Sequence, residues 1–213
     1  MCNFYSFLTD EKGVRYAMDH KIRLDIRSGK SDLREDSHAS IAVLHHIDED
    51  KCNKYEFDPL TRKLTLDTNN LGFNDSELIN IDELIEDVKE AVPELIIKPV
   101  VHPFKDVKFD GEITDEIVEL VREWSKVCDY VCGSVRDSVR VSVWDSVYDS
   151  VWYSVRDSVW DSVYAYISSF FNIKYQYDFS SAIKLWEMGL VPSFDGEVWR
   201  LNSYNGVVWE GKI

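Results

Sequence analysis

The sequence predicts an α+β protein, on the strength of three patterns. Apolar residues in the first hundred positions switch between strand-like alternation and helix-like spacing of three and four. A tetrapeptide unit then recurs across the middle of the chain. Near the C-terminus, Asn205-Gly206 sits between two apolar runs, the strongest short hairpin signal present. These patterns divide the chain into an N-terminal mixed α+β domain over residues 1–104, a long central repeat helix over 112–172, and a small C-terminal α+β cap with a β-hairpin over 173–213.

Residues 2–8 read as a strand, Thr9-Asp10-Glu11-Lys12-Gly13 as a turn and residues 14–18 as the partner strand. Residues 21–26 suit a short helix or a strand, and Ser28-Gly29-Lys30-Ser31 a loop. The apolar run over 40–46 reads as a buried strand. Residues 54–57 and 63–67 alternate across Asp58-Pro59-Leu60-Thr61 and form a second hairpin. Asp75 or Ser76 is placed to cap a helix over 77–92, whose Leu78, Ile81, Leu84, Ile85, Val88 and Val92 recur at helical spacing until Pro93 stops it. Residues 95–101 are extended. After a linker with Lys105, Asp106 and Gly111, Thr114 or Asp115 caps the next helix, with Ile117, Val118, Leu120, Val121 and Trp124 as its apolar face. That helix runs into the array, with a break available at Gly133. Ser180 or Ser181 caps a last short helix through Leu185 and Trp186, which Gly189 ends, before strands at 197–201 and 207–210.

In the array an apolar residue recurs at every fourth position from Val127 to Phe171, and the unit reads Ser-Val-(Trp/Tyr/Arg)-Asp. On an α-helix each column drifts by about 40° per unit, so the apolar stripe winds slowly round the axis in the right-handed sense. From Val127 to Val163 a straight helix would extend roughly 54 Å. A strand would put Ser with the aromatic on one face and Val with Asp on the other, and neither face would be cleanly apolar. No Gly, Pro or Asn interrupts residues 134–168 to turn a meander, so helix is the preferred reading and a strand or solenoid form the alternative. A winding stripe needs cover, either from sister helices in a homo-oligomer or from the chain's own flanking domains. Arg136, Arg140, Trp144, Tyr148, Trp152, Arg156, Trp160 and Tyr164 fill the one varying column, and Trp, Tyr and Arg are the usual anchors of protein interfaces. These eight are the candidate binding residues; aromatic packing against a sister helix is the structural alternative.

A chain of 213 residues with 45% hydrophobic and 30% charged residues has the composition of a globular protein able to bury a core. Its net charge of −15 argues against phosphate-driven nucleic-acid binding and against anionic membranes, and favours a solvated acidic surface or a basic partner. No apolar run is long enough to span a membrane, and the start Met-Cys-Asn-Phe-Tyr lacks the pattern of a secretory signal, so a cytoplasmic setting is expected. The four cysteines fit no disulfide framework; Cys128 and Cys132, one helical turn apart, read as reduced packing residues.

Candidates for catalysis are sparse. Removal of Met1 would expose Cys2, whose own amine would serve as base, as in N-terminal-nucleophile amidohydrolases; the cysteine members of that group begin Cys-Gly, whereas this chain reads Cys2-Asn3. Asp36-Ser37-His38 has triad residue types, but neighbours in sequence point apart and cannot form a triad. His45-His46 near Asp48, Glu49, Asp50 and Cys52 lacks a metal-ligand spacing, and a hairpin end with solvated acids is the plainer reading. Gly29-Lys30-Ser31 lacks the upstream glycine of a phosphate loop. Cys2, His38 and His45 are therefore the catalytic candidates, and no metal or cofactor is expected.

The array Asp-Ser-Val-Trp-Asp-Ser-Val-Tyr-Asp-Ser-Val-Trp, behind Met-Cys-Asn-Phe-Tyr-Ser-Phe and Lys-Tyr-Glu-Phe-Asp-Pro-Leu-Thr, resembles uncharacterised proteins of gut bacteriophages and their metagenomes over most of the chain. The resemblance implies a phage or bacterial origin and action in the host cytoplasm, and brings no activity. The leading expectation is a non-enzymatic phage accessory protein, oligomeric through the repeat helix, that binds a host protein or small ligand, with counter-defence as one role. The alternatives are a structural element of a virion and an enzyme that uses the N-terminal domain.

Overall fold

A computed structural model describes residues 5–136 and 160–213. It has α-helices and antiparallel sheets, the mixed α+β class that the sequence patterns predict. The chain forms two compact units, residues 1–97 and 98–213.

The first unit is built on a four-stranded antiparallel sheet of order β2-β1-β3-β4, with β1 at Tyr5–Thr9, β2 at Arg15–Tyr16, β3 at Asn53–Asp58 and β4 at Lys63–Thr68. Side-chain hydrogen bonds make both tight turns. The Asp10 carboxylate accepts from the Lys12 and Val14 amides, with Gly13 at φ 75°, and the Asp58 carboxylate accepts from Leu60 and Thr61. Every residue of β1 is buried. On one face Phe7 stacks on its cross-strand partner Tyr55, ring centroids 5.1 Å apart, while Leu8 joins Met18, Ile41, Ala42 and Cys52 in a cluster on the other.

Helix α1 (His20–Arg27) resolves the helix-or-strand choice at 21–26, with Asp19 accepting from the Ile22 amide as its cap. Helix α2 (His38–His45) replaces the strand expected at 40–46. A short apolar run suits either a buried strand or a helix; here only one side is buried, with Ile41 and Ala42 inside and Val43 63% exposed, and His46 in the left-handed region (φ 55°) ends it. The helix expected over 77–92 is also corrected. It is a 3-10 turn at Ser76–Leu78 followed by α3 (Ile81–Ala91), capped by the Asn80 side chain on the Asp82 amide at 2.9 Å. Asp75 cannot cap it, because its carboxylate accepts from Thr9, Asn53 and Tyr55 in the sheet.

A buried ion pair ties this unit together. The Arg23 guanidinium of α1 meets the Asp36 carboxylate through two bonds of 2.8 and 2.9 Å, with both side chains almost wholly excluded from solvent. Arg23 also donates from Nε to the Met18 carbonyl, and the Ser6 amide donates to Asp36. Asp36 holds φ at 52°, a conformation that Asp tolerates better than most residues.

The second unit has four α-helices among the described residues: α4 (Asp115–Ser125), α5 (Cys128–Arg136), α6 (Trp160–Ser168) and α7 (Ser180–Glu187). They are joined by a three-stranded antiparallel meander, β5 (Val191–Phe194), β6 (Trp199–Ser203) and β7 (Gly206–Gly211). The hairpin at Asn205-Gly206 is present, with Gly206 at φ 102°, while β5 carries Pro192 and was not signalled by the sequence. A single helix over 112–172 is excluded. The chain breaks at Lys126–Val127, where amides bond three residues back, and Gly133 lies inside α5. Moreover α5 packs against α6, whereas a straight helix from Val127 to Val163 would hold its ends roughly 54 Å apart.

Tyr166 of α6 and Trp186 of α7 stack at 4.8 Å and together grip one residue of the incoming chain. The Val101 amide donates to the Tyr166 hydroxyl at 2.8 Å, and the Trp186 indole donates to the Val101 carbonyl at 2.9 Å. Gly189 ends α7 at φ 79°, and a side chain there would meet the Pro103 carbonyl at 3.1 Å, so both backbone and space require glycine.

Arg23→Met should destabilise the protein by roughly 3–5 kcal/mol, because it strands a buried carboxylate. Adding Asp36→Asn should recover much of that loss, since the polar replacement keeps the backbone and removes the charge. Urea unfolding checks both; additive losses in the double variant would show that the two groups are not coupled.

Candidate functional site

The two described ends of the array assign its columns to different environments. Val131, Val135, Val163 and Ile167, all in the apolar column, are buried to 6% exposure or less. Ser162, in the constant serine column, is also buried and its hydroxyl donates to the Pro192 carbonyl of β5 at 3.3 Å. A small hydroxyl lets the helix approach the sheet there and satisfies a backbone acceptor. Trp160 and Tyr164, in the varying column, are only half-buried, their ring centroids 6.3 Å apart. At the described ends, then, the apolar column and Ser162 serve the fold, while Trp160 and Tyr164 keep part of their surface exposed.

One turn beyond Tyr164 the same column reaches Ser168, which lines a cleft of about 430 Å³. Its walls include Phe171, Tyr175, Tyr177 and Phe179. Tyr130, 51% exposed on α5, stacks on Tyr177 with centroids 4.4 Å apart. The Tyr175 hydroxyl oxygen is buried without a hydrogen-bond partner, and burial pushes its pKa up to about 12. Aromatic walls with hydroxyl groups between them are suited to holding a side chain or a small ring through packing and a few polar contacts.

Of the other residues singled out by the sequence, Arg136 is the last residue of α5, and Arg140, Trp144, Tyr148, Trp152 and Arg156 lie outside the described residues, as does Cys2. His38 is buried with Nε2 3.0 Å from the Tyr55 carbonyl oxygen; Nδ1 is 3.9 Å from the Asp67 carboxylate. His45 is exposed, with Nε2 2.8 Å from the Ala17 carbonyl oxygen. The two histidines sit at opposite ends of α2, about 10 Å apart along its axis, so they cannot share one reacting atom. Among the described residues no group of His, Cys, Asp and Glu has metal-binding geometry, and no helix is long and apolar enough to cross a membrane. Cys128 is no activated nucleophile: burial, then the charges of Asp129 and Asp161, push its thiol up to about 11. The aromatic cleft was not legible in the sequence, since its walls follow the array in an irregular segment with no periodicity.

No family model, curated protein or solved structure matches this chain.

Asp161 begins the last described turns of the array, and burial first, then the Asp129 charge, raise its carboxyl above the usual range. A raised acid keeps its proton in the folded state at pH values where the unfolded chain has released it. Stability therefore falls as pH rises from the unfolded pKa through the raised folded value, and the loss persists above it. Asp161→Asn should accordingly melt at a higher temperature than the parent at pH 7, with the gap closing near about pH 3, where both side chains are neutral. An unchanged or lower melting temperature at pH 7 would contradict this account of Asp161.

Proposed function

We propose that this chain is a non-enzymatic phage accessory protein that acts in the host cytoplasm and recognises a host protein through the varying Trp/Tyr/Arg column of its array. The observation that carries the reading is the division of labour between columns at the described ends: Val131, Val135, Val163, Ile167 and Ser162 are buried in the chain's own fold, while Trp160 and Tyr164 are half-buried and keep part of their surface exposed. Residues that vary from unit to unit are then the large adhesive ones, which is where recognition can be tuned without disturbing the core. The acidic charge favours a partner with a basic surface and opposes phosphate. Because Val131, Val135 and Val163 are covered within one chain, capture of a partner is favoured over self-association through the apolar stripe.

The test compares wild type with a Trp160→Ser, Tyr164→Ser variant in affinity capture from infected host cells, with captured proteins quantified by mass spectrometry and folding monitored by circular dichroism. The reading expects a specific host protein on the wild type and a drop of about tenfold or more on the folded variant, in line with the loss of two interface aromatics. Equal capture by both would remove the array column from recognition.

A further inference from the structure

The first unit holds a cleft of its own, apart from the array. A cleft of about 460 Å³ lies between the β1–β2 turn and the segment that leads into α3. Two apolar side chains line it and yet face solvent, Leu78 at 85% exposure on the 3-10 turn and Phe73 at 49%. Exposed apolar residues scattered singly need no explanation, whereas these two line one concave surface. The lining also carries charge, and its balance is negative. Asp10, Glu11, Asp75 and Glu83 contribute four carboxylates against Lys12 and Arg15, and Arg15 is held by Asp87 at 2.5 Å.

Two of these carboxylates, buried Asp75 and the turn residue Asp10, are held ionised mainly by hydrogen bonds. Asp75 is only 7% exposed; burial pushes its carboxyl upward, yet hydrogen bonds from Tyr55, Asn53 and Thr9 outweigh that and hold it below its ordinary range. Asp10 is likewise lowered, burial raising it less than the Val14 and Lys12 amides, the Tyr16 hydroxyl and the Lys12 charge bring it down. Hydrogen bonds thus fix negative charge in a cleft that also presents two exposed apolar side chains. A cation with an aliphatic body satisfies both features.

We infer that this cleft docks a basic peptide segment of a partner protein, an arginine or lysine entering with its aliphatic stem along Leu78 and Phe73 and its charged head toward Asp10 and Asp75. A free polyamine would use the charge and leave the apolar rim idle, and a nucleic acid would be repelled.

The probe is a fluorescein-labelled octapeptide of alternating leucine and arginine, followed by fluorescence anisotropy on the full chain at low salt. An alternating leucine and glutamate peptide and spermidine competition serve as comparisons. Leu78→Ser should weaken binding about fivefold, the scale of losing part of one leucine's burial. Glu11→Gln with Glu83→Gln should weaken it about tenfold at low salt and less at high salt. Glu112→Gln with Glu123→Gln, an equal charge change at exposed sites of the second unit, should leave it unchanged. All four glutamates and Leu78 are exposed, so folding is preserved. The inference is overturned if Leu78→Ser binds like wild type, if the control pair weakens binding as much as the cleft pair, or if spermidine displaces the peptide as well as an unlabelled copy does. The first and last would mean attraction by charge with no apolar contact, and the second attraction by the net charge alone.

Discussion

The packing of α5 on α6 is the constraint from which the second unit follows. A four-residue apolar repeat makes a stripe that no isolated helix can cover, and burial of each valine or isoleucine is worth roughly 1.5–3 kcal/mol. Here the described parts of that stripe are covered within one chain, with Val131, Val135 and Ile167 fully excluded from solvent. Once the two ends are brought together, α6 is positioned to stack Tyr166 on Trp186, and that pair fixes Val101 by one donated and one accepted hydrogen bond. Ser162 then closes the helix onto β5. The same arrangement leaves Trp160 and Tyr164 half-buried, so the surface that recognition would use is a by-product of how the core is filled.

The first unit relies on a different device. Its short helices bury modest apolar faces, and specificity comes from polar groups enclosed with their partners. Arg23 and Asp36 join α1, β1 and the segment before α2, while Asp75 fastens the loop after β4 to the sheet through Thr9, Asn53 and Tyr55. Such groups cost a great deal when left unpaired and little when fully satisfied, which makes the geometry selective. Asp75 has two roles: the network that anchors the loop also sets a fixed negative charge in the cleft beneath Leu78.

What was legible in the sequence was what is decided locally. Asp10 with Gly13, Asp58, and Asn205-Gly206 place their hairpins correctly because turn chemistry is read within a few residues. The misreadings occur where distant residues decide. The run around Ile41 became a helix because its burial is one-sided, and α3 begins at Asn80 because residues far back in the sheet recruit Asp75. The valine period identified which side of the array is apolar but not what covers it, and so it allowed a rod that the packing of α5 on α6 excludes. Neither cleft has a sequence signature: Glu11 and Glu83, or Tyr130 and Tyr177, meet only through the fold.

The most direct test of the central claim is the distance between the two ends of the array within one molecule. Spin labels at Asp129 and Tyr164, with the four native cysteines replaced by alanine and the labelled protein diluted in unlabelled protein, report that distance by double electron–electron resonance. Packed helices with axes 8–10 Å apart give a label separation of about 25 Å or less. A continuous straight helix gives about 52 Å. The short distance is the predicted result. The long one would mean that the array is a rod, that its valines need a sister chain, and that the columns do not divide their work as described.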